Sequence, residues 1–214
     1  MSEVVGVSMG FIEKFILPKE VDFVAALKGQ LDVTCGIVRH LCDAGLHRQA
    51  GALVVIGQEA RRARELKNKN MQELLDVFIT PYDKEAIYRL IVQLDWVVLS
   101  VRHFVIEREV YGIEARRDHR TIFHALNEMA TLLEEGFKHL AAREMAALAT
   151  TTDLVHDKYD QVVEYCARAV ALLFQSDNCK TILMHKDLIA QLKEIAKRMH
   201  ISATTLEDMA IKAA

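Results

Sequence analysis

Apolar side chains recur at three- and four-residue steps along most of the chain, the spacing that lays them on one face of an α-helix. The first stripe runs Phe23, Leu27, Leu31, Thr34, Val38 and Leu41. Pro18 fits the first turn of this helix, behind a frayed or helical lead-in over 1–17, and Gly45 reads as its C-cap. A second stripe starts near His47 and continues through Ala50, Leu53, Gly57, Ala60, Arg64, Lys67, Met71, Leu74 and Phe78. Thr80-Pro81-Tyr82-Asp83 then punctuates the chain, with Thr80 as N-cap, Pro81 at the first helical position and Asp83 two places on, near the positive end of the helix dipole. The third helix should run from about Pro81 to Val110. Leu90, Ile91, Val92, Leu94, Trp96, Val97, Val98, Leu99 and Val101 leave it almost no polar face, so other helices or a partner copy must surround it.

Gly112–Arg117 reads as a break. A fourth helix is expected from about Asp118 to Ala149, with Ile122, Leu126, Met129, Leu133, Phe137 and Leu140 inward. Thr150–Asp153 can cap a fifth helix ending near Phe174, and a sixth fills about Met184–Lys212 after the loop Gln175–Lys180. Six long helices with short links predict an all-α fold of two antiparallel three-helix bundles in a single 1–214 domain, the repeats spanning about 18–111 and 118–212. An internal repeat supports the division. Arg64 precedes Phe78 by fourteen residues and Asp160 precedes Phe174 by fourteen, and Leu94-Asp95 and Leu192-Lys193 fall in similar places.

Composition narrows the function. Two prolines and nine glycines in 214 residues are too few for a turn-rich β fold. A net charge of −3 provides no global field for nucleic acid. The longest apolar runs are interrupted by Asp95 and fall far short of the roughly 20 residues of a membrane span, and MSEVVGVSMG has no basic n-region, so neither a signal peptide nor membrane insertion is expected. Cys35 and Cys42, seven apart on one helix, sit about 10 Å apart by helical rise and cannot bridge, and Cys166 and Cys179 are isolated. Such cysteines fit a reducing cytoplasm.

Two segments resemble a known family. FILPKEVDFVAAL (Phe15–Leu27) is similar to the opening of the PhoU-like phosphate-transport regulators, and LDVFITPYDKEAIYRLIVQLDWVV (Leu75–Val98), with its Phe-Ile-Thr-Pro-Tyr-Asp turn, resembles their most recognisable segment. HDKYDQVVEYCARAVALLF and HKDLIAQLKEIAKRM resemble the second repeat. The resemblance implies two pseudo-repeated three-helix bundles and a cytosolic, non-enzymatic accessory of an inorganic phosphate permease, possessing no catalytic residue. In members that hold multinuclear metal clusters, carboxylates four apart on the second and third helices of each repeat supply the oxygen ligands. Here the corresponding positions are Ala60, Arg64, Asp95 and Leu99 in the first repeat, and His156, Asp160, Lys193 and Lys197 in the second. Arg64, Lys193 and Lys197 would repel a cation, so no cofactor is expected beyond a weakly held divalent ion.

Cations standing at former metal positions suggest ion pairs: Arg64 with Asp95, and Asp160 with Lys193 or Lys197. Asp153, His156, Asp157 and Asp160 share one helix side, either as a solvated first turn or as the place for a single ion held by His156, Asp157 and Asp160. Arg61, Arg62 and Arg64, followed by Lys67 and Lys69, form a local cationic run that is either a solvated helix face or a patch for an anion or partner. Trp96, beside Asp95, with Phe104 and Tyr88, reads as a packing or interface stripe in preference to a ligand cage. The nine histidines form no zinc or catalytic spacing. The expected function is therefore regulation of phosphate transport by protein contact, in a homo-oligomer, without turnover. The alternative is an iron- or other divalent-metal-binding protein of the same fold.

Overall fold

The structure, a computed structural model, describes residues 21–47 and 52–213. Pro18, the lead-in before it and Ala50 lie outside these residues. Six long helices are present and no strand occurs among the described residues: α1 (Phe23–His47), α2 (Ala52–Asp76), α3 (Lys84–Tyr111), α4 (Arg120–Ala142), α5 (Met145–Leu173) and α6 (Cys179–Ala213), with a single 3₁₀ turn (Arg117–His119) before α4.

Helices α1–α3 and α4–α6 form two antiparallel three-helix bundles. They join along two seams, α1 against α4 and α3 against α6. Each seam pairs a helix with its own counterpart in the other repeat, as a pseudo-two-fold arrangement requires. α2 and α5 are left on the outside. The α3/α6 seam is antiparallel: Arg89 pairs with Asp208, Gln191 donates to Glu107 at 2.6 Å, and the Tyr111 hydroxyl donates to Asp187 at 3.1 Å. Arg39 clasps Glu134 across α1/α4 with two hydrogen bonds of 2.7 and 2.6 Å.

This arrangement explains the apolar third helix. α3 touches α1, α2 and α6, and Leu90, Ile91, Leu94, Val97 and Val101 are fully enclosed within the chain. The coverage that suggested a partner copy is thus met internally.

Several boundaries differ from the sequence pattern. α1 starts at Phe23, capped by Asp22, whose carboxylate accepts the Ala25 N–H at 2.9 Å. Gly45 does not end α1. It lies inside the helix where α4 approaches, and a Cβ there would fall 2.3 Å from a Phe123 ring carbon. α2 ends at Asp76, before Phe78. Asp83, not Thr80, caps α3, accepting the Ala86 N–H at 3.0 Å. Gly112 closes α3 in the left-handed conformation, as the break at that glycine predicts.

The fourth helix stops at Ala142, well before the Thr150 cluster. Arg143 adopts φ 59°, and the N–H groups of Arg143 and Glu144 close on Leu140 and His139. Thr150 and Thr151 lie inside α5, their hydroxyls donating to carbonyls four residues back. A left-handed arginine carries no composition signal, whereas three threonines resemble a cap. α6 begins at Cys179, earlier than the expected Met184.

Candidate functional site

The outer faces α2/α3 and α5/α6 hold the positions where the resemblance places metal ligands. In the first repeat Asp95 does not meet Arg64. Its carboxylate pairs with Lys67 at 3.1 Å, with only 14% of the aspartate side chain exposed. Arg64 is exposed. Arg64 and Lys67 are three apart on one stripe, so a shift of one turn in the α2/α3 register changes which of them reaches Asp95.

Arg64 instead lines a groove of about 410 Å³ between α2 and α3. Gly57 and Ala60 are among its small residues, Gln58, Arg61 and Arg64 come from α2, and Arg102 comes from α3. Arg62 is exposed but does not line it. The sequence run identified Arg61 and Arg64 and missed Arg102, which belongs to α3 and to no cationic run. The repeat offset that aligns Asp95 with Lys193 also aligns Arg102 with His200, and that was the available signal.

In the second repeat, Asp160, Lys193 and Lys197 are exposed, and no ion pair among the described residues joins them. The expected Asp160–lysine pair is therefore not formed, since side chains that all reach water have no need of one another. Rings occupy the space: Tyr159 stacks on His200 at 4.8 Å, His156 lies 4.4 Å from the same ring, and its Nε2 is 3.4 Å from the Thr204 hydroxyl. Burial, and then the neighbouring His156, lowers the His200 pKa.

These donor sets do not fit the metal that the resemblance implies. Asp95 is neutralised by Lys67, and no group of three or more His, Cys, Asp or Glu side chains capable of holding an ion occurs among the described residues. His156, Asp157 and Asp160 do not form such a group.

Other side chains have structural roles. Trp96, Phe104 and Tyr88 do not form one stripe: Phe104 packs edge-on to Phe123, Tyr88 is half-exposed, and Trp96 carries the Arg198 guanidinium 4.8 Å above its ring. Cys35, Cys42 and Cys166 are buried free thiols, and burial pushes Cys42 and Cys166 up to about 12, which makes them poor nucleophiles. His119, fully enclosed at the end of the 3₁₀ turn, lies edge-on to His185 at 6.0 Å. Neither of its ring nitrogens has a hydrogen-bond partner among the described residues, and burial lowers its pKa to about 4.

At one end of the molecule, the end of α2 exposes Leu75 and the α2–α3 turn projects Phe78 and Ile79 into solvent, 94% and 86% exposed. Pro81 and the Asp83 cap fix this turn, and Thr80 donates to the Tyr82 carbonyl at 2.6 Å.

No protein-family model and no curated protein matches the sequence. Solved structures of PhoU-like proteins match its fold. A PhoU-like protein from Shewanella oneidensis MR-1 superposes with a TM-score of 0.73 at 13% identity, covering 87% of this chain and 98% of that one. A second structure from the same strain, described as a PhoU-like phosphate regulatory protein, gives 0.71 at 13% identity and covers 88% and 98%. The chain is thus an all-α protein of two repeated three-helix bundles. Its fold is PhoU-like.

Proposed function

We propose that this protein is a non-enzymatic, cytosolic regulator or accessory of inorganic phosphate transport, acting through contact with a phosphate permease. The observation that carries the reading is the α2–α3 turn on a PhoU-like fold. Phe78 and Ile79 belong to the Phe-Ile-Thr-Pro-Tyr-Asp segment that bears the resemblance, and both are almost wholly exposed. An aromatic and a β-branched side chain held in water by a rigid, capped turn form a hydrophobic anchor of the kind that dominates protein contacts. No helix among the described residues is long and apolar enough to cross a membrane, which fits attachment through a partner. Catalysis has no support: the buried thiols are poor nucleophiles, and the most perturbed histidine is enclosed in the core.

Affinity capture from native membranes tests the reading. The wild-type chain should retain a phosphate permease, and the double variant Phe78→Ser, Ile79→Ser should lose it while keeping its helical circular dichroism. Capture unaffected by both substitutions would remove the turn from the contact.

A further inference from the structure

We propose that the α2/α3 groove binds an anion carrying two or more linked phosphoryl groups, gripped by Arg61, Arg64 and Arg102. The groove has cations on both walls, two from α2 and one from α3. No carboxylate lines it among the described residues. Among the neighbouring charges, Lys67 takes Asp95 at 3.1 Å and Glu59 takes His40 at 2.7 Å, while Glu65, four residues after Arg61, is exposed and lies outside the groove lining. Arg61, Arg64 and Arg102 form no salt bridge among the described residues. Three guanidinium groups facing one concavity repel one another, and a multivalent anion between them converts that repulsion into attraction.

The chemistry of the lining selects phosphate. Arginine presents a planar fork that matches two phosphate oxygens at once and stays charged at any ordinary pH. Gln58 adds an amide donor on the α2 wall. The groove has room for more than one phosphoryl group: about 410 Å³ exceeds what a single tetrahedral ion fills. The space beside Gly57 is open, since a Cβ there would meet nothing within 4 Å, and a longer side chain would enter the groove.

The feature is specific to the first repeat. At the places of Gly57, Arg61, Arg64 and Arg102 the second repeat has Asp153, Asp157, Asp160 and His200. A second copy of the chain could present that acidic face to the groove. The compact, two-walled shape favours a small anion. The inference stands apart from the permease reading, because the groove and the exposed turn share no residue.

Calorimetric titration of the full chain at low ionic strength, without divalent ions, tests the proposal with sodium tripolyphosphate, pyrophosphate and orthophosphate. Tripolyphosphate should bind one to one, with orthophosphate at least about tenfold weaker. Arg64→Gln and Arg102→Gln should each weaken tripolyphosphate about tenfold or more, the scale of a hydrogen bond to a charged group. Gly57→Leu should weaken it comparably by filling the groove at unchanged charge, and Arg62→Gln should leave it within about twofold. Circular dichroism should be the same for all four variants. Absent binding, orthophosphate binding as tight as tripolyphosphate, or equal losses in Arg62→Gln and Arg64→Gln would each overturn the proposal. A salt-sensitive self-association abolished by Arg64→Gln, with no tripolyphosphate bound, would overturn it in favour of the second copy.

Discussion

In the first repeat the surface between α2 and α3 presents Gly57, Arg61, Arg64 and Arg102, whereas the equivalent surface between α5 and α6 presents Asp153, Asp157, Asp160 and His200. The scaffolds beneath are alike: a long outer helix packs antiparallel against a third helix, which in turn lies on the seam between bundles. The inward stripes are alike as well, with Ile56, Ala63 and Leu74 buried on α2, and Thr152, Val155, Val162 and Cys166 buried on α5. What has diverged is the outer face. One repeat has an open cationic groove beside a lysine–aspartate pair, and the other has stacked rings among exposed acids. Duplicated packing therefore does not duplicate chemistry, and a fold shared at 13% identity says as little about either face.

The two repeats also bury polar groups differently, and acid should expose the difference with the largest effect. His119 in the second repeat is enclosed and its pKa falls to about 4 from an ordinary 6.5. The folded chain holds it neutral while the unfolded chain protonates it below 6.5. Its contribution to stability is thus complete above that pH and is lost as pH drops through 6.5 towards 4, amounting to about 3 kcal/mol. His185 and His200, also lowered, act in the same direction. Urea denaturation at pH 7 and pH 4.5 should show the loss, and His119→Leu should abolish most of it while raising stability at pH 7. An equal acid loss in His119→Leu would place the sensitivity elsewhere.

The first repeat buries amides instead. Gln30 and Asn70 are each 1% exposed. Asn70 donates to Gln30 at 3.0 Å and to the Ala26 carbonyl at 3.2 Å, and Gln30 donates to the Ile91 carbonyl at 2.9 Å, so a single network ties α1, α2 and α3. Asn70→Ala strands the buried side-chain oxygen of Gln30 and should cost about 2 kcal/mol, independent of pH between 7 and 4.5. A pH-dependent cost would erase the contrast with His119.

Much of this architecture is legible in the sequence because helical stripes record burial directly. Phe23, Leu27, Leu31, Val38 and Leu41 lie where their spacing puts them, and Gly112 ends α3 as a helix-terminating glycine should. What fails is whatever depends on how helices meet. Gly45 resembles a cap, yet serves the close approach of Phe123 from a helix far away in sequence. The Arg64–Asp95 pairing fails for the same reason, because both Arg64 and Lys67 fit the stripe and only the inter-helix register selects Lys67. Arg102 becomes part of a site only when α2 lies beside it. Asn70 and Gln30 are ordinary amides until packing removes the water around them.

The two faces should also differ little in metal content, because neither brings three ligands together. Protein purified without chelator should carry well under one equivalent of iron or manganese by elemental analysis. Near-stoichiometric metal released by Asp160→Ala would show a site that these side chains do not assemble in the structure.

The smallest expected effect distinguishes the ion pairs of the two faces. Asp95 and Lys67 are partly shielded, with side chains 14% and 29% exposed, so their attraction is only partly screened. A double-mutant cycle with Asp95→Asn and Lys67→Met should give a coupling of about 1 kcal/mol, the upper end for pairs that retain some water. The cycle of Asp95→Asn with Arg64→Met should give close to zero, because Arg64 faces the groove and not Asp95. In the second repeat, Asp160→Asn with Lys193→Met should also give close to zero, since both side chains are exposed and no ion pair joins them. Salt sharpens the test: a coupling at Lys67–Asp95 that survives high ionic strength belongs to a shielded pair, whereas a long-range attraction between surface charges disappears. Equal couplings for Lys67 and Arg64 would mean that Asp95 senses the whole cationic face of α2 and not one partner, and the distinction between a paired lysine and free groove arginines would fail with it.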